Sequence, residues 1–306
     1  MTIKEALSVT HRSVSYREAE ILLQAVLKAD RSWLYSHGDQ ILTDEEFERY
    51  EGYLQRREIN EPVAYILGFK EFYSRPFQVD KRALIPRPES EKLVDLALDF
   101  LPKRFTSHLL ATNKPCPVRI LELGTGCGNL AITLALELAV KPTPAEIIAT
   151  DISEEALGLA QDNWQQLPAD SSANKPRFVV ADLFAHPEIE QHKPYDLIIA
   201  NLPYVENRWK FSPEAQPEVV FQEPDIALFG GDDGLDIYRR FFKEVSAYLY
   251  PEGVILIEFG ETQTSKLKEI AQAAFPDWHL MVYPDYAGLD RVLEIKKLRA
   301  SNYFSR

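Results

Sequence analysis

Two short stretches carry residue types that chemistry can use. The first is ILELGTGCGN, which sets Gly124, Gly126 and Gly128, with Thr125 and Cys127 between them, after an apolar run and before a helical one. Glycines there let the backbone turn sharply and let a ligand approach closely. A dinucleotide fingerprint is G-x-G-x-x-G, whereas Gly128 here makes the pattern G-x-G-x-G, followed by Asn129. The next apolar run, EIIATD, ends on Asp151, a carboxylate placed to accept hydrogen bonds from both hydroxyls of a ribose. That pairing suits a nucleoside cofactor with no pyrophosphate to cradle, and S-adenosyl-L-methionine is the obvious one. Taken alone, the glycines read equally as a tight turn, and Asp151 as a cap of the next helix.

The second stretch is DLIIANLPYV. Leu197 to Ala200 has the length and β-branched content of a strand covered on both faces, and ligands in parallel sheets bind just beyond such strand ends. Asn201, Leu202, Pro203 and Tyr204 follow there. Beside an adenosyl pocket they read as a clamp for methyl transfer to a planar nitrogen. A carboxamide or exocyclic amine nitrogen has a delocalised lone pair. Both its N–H bonds must be held so that the nitrogen faces the sulfonium methyl in line. The Asn201 side-chain oxygen and the Leu202 carbonyl can hold them, Pro203 stiffens the loop, and Tyr204 offers a face to the flat group. No strong general base is required, because the proton can leave after the methyl arrives. In isolation Asn and Pro are ordinary turn residues.

The elements that position these residues follow from periodicity. Residues 1–62 show helical spacing, with Ala19, Leu22, Leu23, Val26 and Leu27 in one stripe and Thr43 capping a helix with Glu46 three residues on. Residues 63–85 are aromatic and β-branched and suit a hairpin linker, after which Pro88 opens a helix. Pro102 to Pro117 reads as a polar break. Strand and helix signals then alternate to the end: Arg119–Leu123, Glu146–Asp151, Arg177–Val180, Asp196–Asn201, Gly253–Glu258, His279–Tyr283 and Val292–Ile295. Alternation of this kind predicts an α/β fold, a doubly wound, mostly parallel seven-stranded sheet. The expected division is a helical domain over 1–62, a linker over 63–85, a catalytic domain over 86–299 and a tail over 300–306. Leu167 to Pro176 is expected to be a surface loop.

Composition narrows the partners. The chain has 306 residues, 45% hydrophobic and 26% charged, with a net charge of -13. An acidic surface without a basic stripe repels a phosphate backbone, so nucleic acid is a disfavoured partner. Leu130 to Val140 is the longest apolar stretch and too short to span a bilayer, and the N-terminus has no leader-like segment; the expectation is a cytoplasmic protein with no membrane partner. Cys116 and Cys127 make no disulfide framework, and no Cys/His cluster has metal-site spacing.

Over nearly its whole length the chain resembles the bacterial protein-glutamine N5-methyltransferases that modify class-1 peptide chain release factors. YREAEILLQAVL and the stretch from EPVAYILGF to LIPRPESE resemble that family's helical domain and linker, LELGTGCGNLAI its cofactor loop, FQEPDIALFGGDDGLDIYRRF and DYAGLDRVL its later segments. The resemblance implies S-adenosylmethionine as cofactor and the glutamine of a Gly-Gly-Gln tripeptide in the release factor as methyl acceptor. By position, the cofactor contacts Gly124 to Gly128, Asp151, Asp182 with Leu183, and Asn201, and the glutamine contacts Asn201 to Tyr204. Leu183 has a packing role at most, and Cys127 is there for fit. Glu122 orients either the methionine amine or the loop, and Arg87 either an ion pair or the protein substrate. The family normally has Asn-Pro-Pro-Tyr, and Leu202 replaces its first proline. Because Asn-Leu-Pro-Tyr is also similar to a motif of ribosomal-RNA adenine N6-methyltransferases, that alternative stays open, as does a glutamine of a ribosomal protein as the methyl acceptor.

Overall fold

The computed structural model describes residues 1–8, 14–141, 143–167 and 174–297. Most of the expected loop between Leu167 and Pro176 lies outside these residues, and so does the tail. The chain begins with helices α1 (Ile3–Ser8), α2 (Tyr16–Leu27), α3 (Arg31–Ser36) and α4 (Asp44–Glu58). Ser15 with Glu18, and Thr43 with Glu46, form reciprocal capping boxes that satisfy the first N–H groups of α2 and α4. Ala19, Leu22, Leu23 and Val26 face a buried cluster completed by Leu34, Tyr50 and Leu54. This unit has a core of its own.

The linker is only partly a hairpin. Val63–Leu67 is a helix, α5, ended by Gly68 at φ 79°, and the hairpin is confined to β1 (Phe69–Phe72) and β2 (Arg75–Gln78). Tyr73 and Ser74 both take positive φ, as a tight two-residue hairpin turn requires. Phe72 and Phe77 are buried in the core of the large sheet, so the hairpin packs with the catalytic layer.

A second correction concerns α6 (Glu91–Thr112), which runs through the expected break at Pro102. A proline inside a helix removes one hydrogen bond, but here buried neighbours override that loss. Leu101 and Arg104 are buried, and Arg104 Nε donates to Asp196 Oδ1 at 2.6 Å. The hydroxyls of Thr106, Ser107 and Thr112 bond back to carbonyls four residues earlier, so the polar half stays helical until Asn113 at φ 57°.

The sheet follows: β3 (Val118–Leu123), α7 (Asn129–Val140), β4 (Ala145–Asp151), α8 (Glu154–Gln166), β5 (Arg177–Val180), α9 (Pro187–His192), β6 (Tyr195–Ala200), α10 (Pro217–Val220), α11 (Asp225–Leu228), α12 (Asp236–Glu244), β7 (Leu249–Glu258), α13 (Thr264–Ala274), β8 (His279–Pro284) and β9 (Asp290–Lys296). Its order is β5-β4-β3-β6-β7-β9-β8, parallel except where β9 pairs with β7 and β8. Side chains alternate between faces: Leu121, Leu123 and Ile198 pack with α12 and α13, and Ile120, Leu197 and Ile199 with α6 and α7. The strand order reverses between β3 and β6, which opens a crevice at their carboxyl ends.

Candidate functional site

Register decides what meets at that crevice. Leu123 pairs with Ala200, and Ala200 with Ile257, so Gly124, Asn201 and Glu258 stand side by side where β3, β6 and β7 end. A cavity of about 290 Å³ opens there, lined by Gly124 to Cys127, Asp151, Asp182, Leu183, and Asn201 to Pro203. An adjoining recess of about 670 Å³ takes in Arg87, Tyr204, Trp209 and Arg291. Asn201 and Leu202 are walls of both.

The cavity floor is a built turn. Asp151 accepts from the Gly126 and Ser153 N–H groups, each at 2.9 Å, and burial pushes its carboxyl above the ordinary range despite these bonds. Glu122, 1% exposed, takes the Thr125 hydroxyl on Oε2 at 2.8 Å, while its buried Oε1 has no protein partner. Burial raises this carboxyl to about 8. The Cys127 thiol is pushed up to about 12 by burial, which leaves it inert and consistent with a fitting role. Leu183 is buried at φ 52° on the cavity wall, and Asp182 receives Arg240 Nη2 at 2.7 Å on the rim.

Gly128 lies apart from the other loop residues and does not line the cavity. A Cβ on it would meet Ile132 Cδ1 at 2.9 Å and Ala160 Cβ at 3.0 Å, at φ 83°. Its smallness serves the packing of α7 on α8. Gly124 is the position where space toward the site matters, since a Cβ there would come within 3.2 Å of Leu202 Cδ2.

Residues 3–68 match the family model described as PrmC N-terminal domain, and residues 117–293 match a methyltransferase domain model. A release factor glutamine methyltransferase of Koribacter versatilis is 36% identical over 280 residues, covering 91% of this chain and 90% of that protein. One from Bacillus cereus is 32% identical over 275 residues, covering 90% of each. The chain belongs to the release factor glutamine methyltransferase family. Among solved structures, the hMettl16 catalytic domain shares the fold, with TM-score 0.52 and 15% identity over 84% of each chain. The methyltransferase domain uses S-adenosylmethionine, which supplies an electrophilic methyl group. The cavity fits it: Asp151 and the orphaned Glu122 oxygen offer acceptors for hydroxyl and ammonium groups, and Gly124 leaves room for close approach.

Several residues of this methyltransferase site escaped sequence reasoning. Asn201 Nδ2 donates to Ser90 Oγ at 3.0 Å, and the Tyr204 hydroxyl donates to Glu258 Oε1 at 3.1 Å. Burial holds the Tyr204 phenol far above its ordinary range. The Tyr238 hydroxyl donates to the Glu258 carbonyl, and Gln263 Nε2 donates to the Tyr204 carbonyl at 2.9 Å. Gly230 and Gly234 lie under the same loop; a Cβ on them would reach Pro203 O at 2.4 Å and Tyr204 O at 2.0 Å. Arg87 Nη2 lies 2.6 Å from Glu223 Oε1, and Arg87 also lines both the cavity and the recess. The quoted motifs contain Ser90, Gly230 and Gly234, yet nothing in local spacing says what they touch. No described helix is long and apolar enough to cross a membrane.

Proposed function

We propose that this enzyme transfers the methyl group of S-adenosylmethionine to the side-chain amide nitrogen of the glutamine in the Gly-Gly-Gln tripeptide of class-1 release factors. The observation that carries the reading is that Asn201 and Leu202 form the partition between the cofactor cavity and the adjoining recess. An amide entering from the recess meets the Asn201 side-chain oxygen and the Leu202 carbonyl, which take its two N–H bonds and turn the nitrogen lone pair toward the cavity. Pro203 limits the loop's motion, and Tyr204, tied to Glu258, walls the recess on one side. Asp151 takes the ribose hydroxyls, Glu122 the amino group, and Asp182 and Leu183 border the adenine end. The names of the relatives support the release factor as substrate.

The helical domain over 1–62, joined through the linker over 63–85 to the catalytic domain over 86–299, is the surface for the protein partner. It packs against the α10 segment, whose Val219 lines the recess: Arg57 Nη2 lies 3.4 Å from Glu218 Oε1, and Gln222 Nε2 donates to the Ile59 carbonyl at 3.2 Å. The test is incubation with radiolabelled S-adenosylmethionine, release factors, ribosomal protein and ribosomal RNA together. Label on the release factor glutamine is expected. Label on RNA or on the ribosomal protein alone defeats the reading.

A further inference from the structure

Asn201 can face a substrate amide with its oxygen or, after a half-turn of the side chain, with its NH2 group, and only the oxygen accepts an N–H bond. Something must choose between the two. Asn201 Nδ2 lies 3.0 Å from Ser90 Oγ, and Ser90 Oγ lies 2.6 Å from Glu258 Oε2. The second carboxyl oxygen takes the Tyr204 hydroxyl at 3.1 Å. Ser90 and Glu258 are each 1% exposed, so water offers them no alternative partner. Ser90 comes from the turn before α6 and Glu258 from the last position of β7, so the chain of bonds ties three separate elements together.

A hydroxyl has one hydrogen. Given to an ionised Glu258, it leaves Ser90 able only to accept from Asn201, which must present Nδ2 and keep Oδ1 for the substrate. The same carboxylate draws the phenol hydrogen of Tyr204, so both ends of the loop are oriented by one group. We infer that Ser90 and Glu258 are positioning residues for methyl transfer, the buried carboxylate setting the direction of the hydrogen-bond chain and thereby the orientation of the Asn201 amide. Burial raises the Glu258 carboxyl above the ordinary range, while the two hydroxyl donors and the Arg291 guanidinium favour its charged form. An uncharged group at this position can donate to Ser90, and the chain then reverses, with Ser90 donating to the Asn201 oxygen. The inference rests on Asn201 to Tyr204 being the amide clamp.

Single-turnover methylation of a release factor, with cofactor affinity measured separately by calorimetry, tests it. Ser90→Ala is expected to lower the rate roughly tenfold with cofactor affinity within about threefold, as for loss of one orienting hydrogen bond. Ser90→Thr, which keeps the hydroxyl, is expected to hold the parental rate. Glu258→Gln, near in shape but able to donate toward Ser90, is expected to lose as much as Ser90→Ala; if that variant does not fold, the serine pair decides alone. In an Asn201→Ala background Ser90→Ala should add nothing, because the group it orients is gone. Parental rates in Ser90→Ala beside an inactive Asn201→Ala overturn the relay. So does a Ser90→Ala loss that Ser90→Thr shares, or one that persists in the Asn201→Ala background. An active Asn201→Ala enzyme instead sinks the clamp itself.

Discussion

The proposed cofactor side of the site and the proposed substrate side are assembled differently. Gly124 to Cys127, Asp151 and Asp182 sit at or just past the ends of β3, β4 and β5, each placed by the strand it follows, with the loop bonded to the neighbouring strand end through Gly126 N–H to Asp151. Asn201 to Tyr204 also follow a strand, but their orientation comes from afar: Ser90 is 111 residues from Asn201, Glu258 is 54 from Tyr204, and Gly230 and Gly234 press on the loop from below. The first side is a product of local geometry, and the second of tertiary agreement among four segments. A change far from the substrate loop should therefore damage it while sparing the cofactor pocket.

The largest such change is removal of residues 1–62. The substrate side then loses the Arg57 to Glu218 and Gln222 to Ile59 ties, whereas the cofactor side keeps every bond described above, and the hairpin with Phe72 and Phe77 stays in the sheet core. Methylation of intact release factor should fall below detection while cofactor affinity, measured by calorimetry, stays within a few-fold. A truncated enzyme that methylates the intact factor at the parental rate would abolish this division of labour.

Asn201→Ala comes next. On the proposed clamp it removes the side-chain acceptor that holds the amide as the nitrogen attacks, so the methylation rate should drop roughly a hundredfold or more, on the scale of one preorganised oxyanion-type hydrogen bond. Cofactor affinity should change far less. Equal losses in rate constant and affinity would move Asn201 to the cofactor side and erase the contrast.

This contrast also sets what could be read from the sequence. The glycine loop, Asp151 and the Asn-Leu-Pro-Tyr stretch were legible because a strand end places its successor without help, and strand ends show in hydrophobic runs. Gly128 does not line the cavity, and a glycine that lets two helices touch looks the same in sequence as one that admits a ligand. The break at Pro102 was misplaced because Thr, Ser and Asn favour turns by propensity, while the buried Arg104 to Asp196 pair that keeps α6 going spans 92 residues. Val63–Leu67 was drawn into the hairpin because a five-residue apolar run is too short for its periodicity to tell helix from strand. Ser90 lies in a quoted motif and Glu258 at an expected strand end, but nothing local to either says that they bond each other.

On the cofactor side, Asp151→Ala should weaken S-adenosylmethionine binding by about 1.5 to 3 kcal/mol, the loss of a charged acceptor for two hydroxyls. It also leaves the Gly126 and Ser153 N–H groups without their carboxylate. Calorimetry that returns the parental dissociation constant would rule out the ribose assignment.

Glu122 offers a pH test of the same side. Its folded value, about 8, lies above the ordinary glutamate value of 4.5 because burial penalises the charge. A carboxyl raised in this way contributes stability that is fully present below about 4.5 and is lost as pH rises through about 8. Glu122→Gln cannot ionise, so without cofactor its melting temperature should gain on the parent between pH 5 and pH 8.5, by roughly 2 to 4 °C for each kcal/mol relieved. A difference that stays constant or shrinks with pH would mean the group is not held neutral by burial.

The smallest effect is expected at Leu202, and it separates side chain from backbone within the substrate loop. The Leu202 side chain is 5% exposed and fills the space over Gly124. Proline there removes some of that apolar contact, at a cost on the order of 1 kcal/mol. It also fixes φ near the value proline allows, which gains about 0.4 to 1 kcal/mol where the loop accepts it. Proline also removes the Leu202 N–H that bonds the buried Tyr238 oxygen, so the exchange costs about 1 kcal/mol net. If the position contributes its carbonyl and nothing more, Leu202→Pro should change the single-turnover rate less than about tenfold, under about 1.4 kcal/mol, with cofactor affinity close to that of the parent. A Leu202→Pro enzyme as inactive as Asn201→Ala would instead show that the leucine side chain, through its contact over Gly124, couples the two sides of the site.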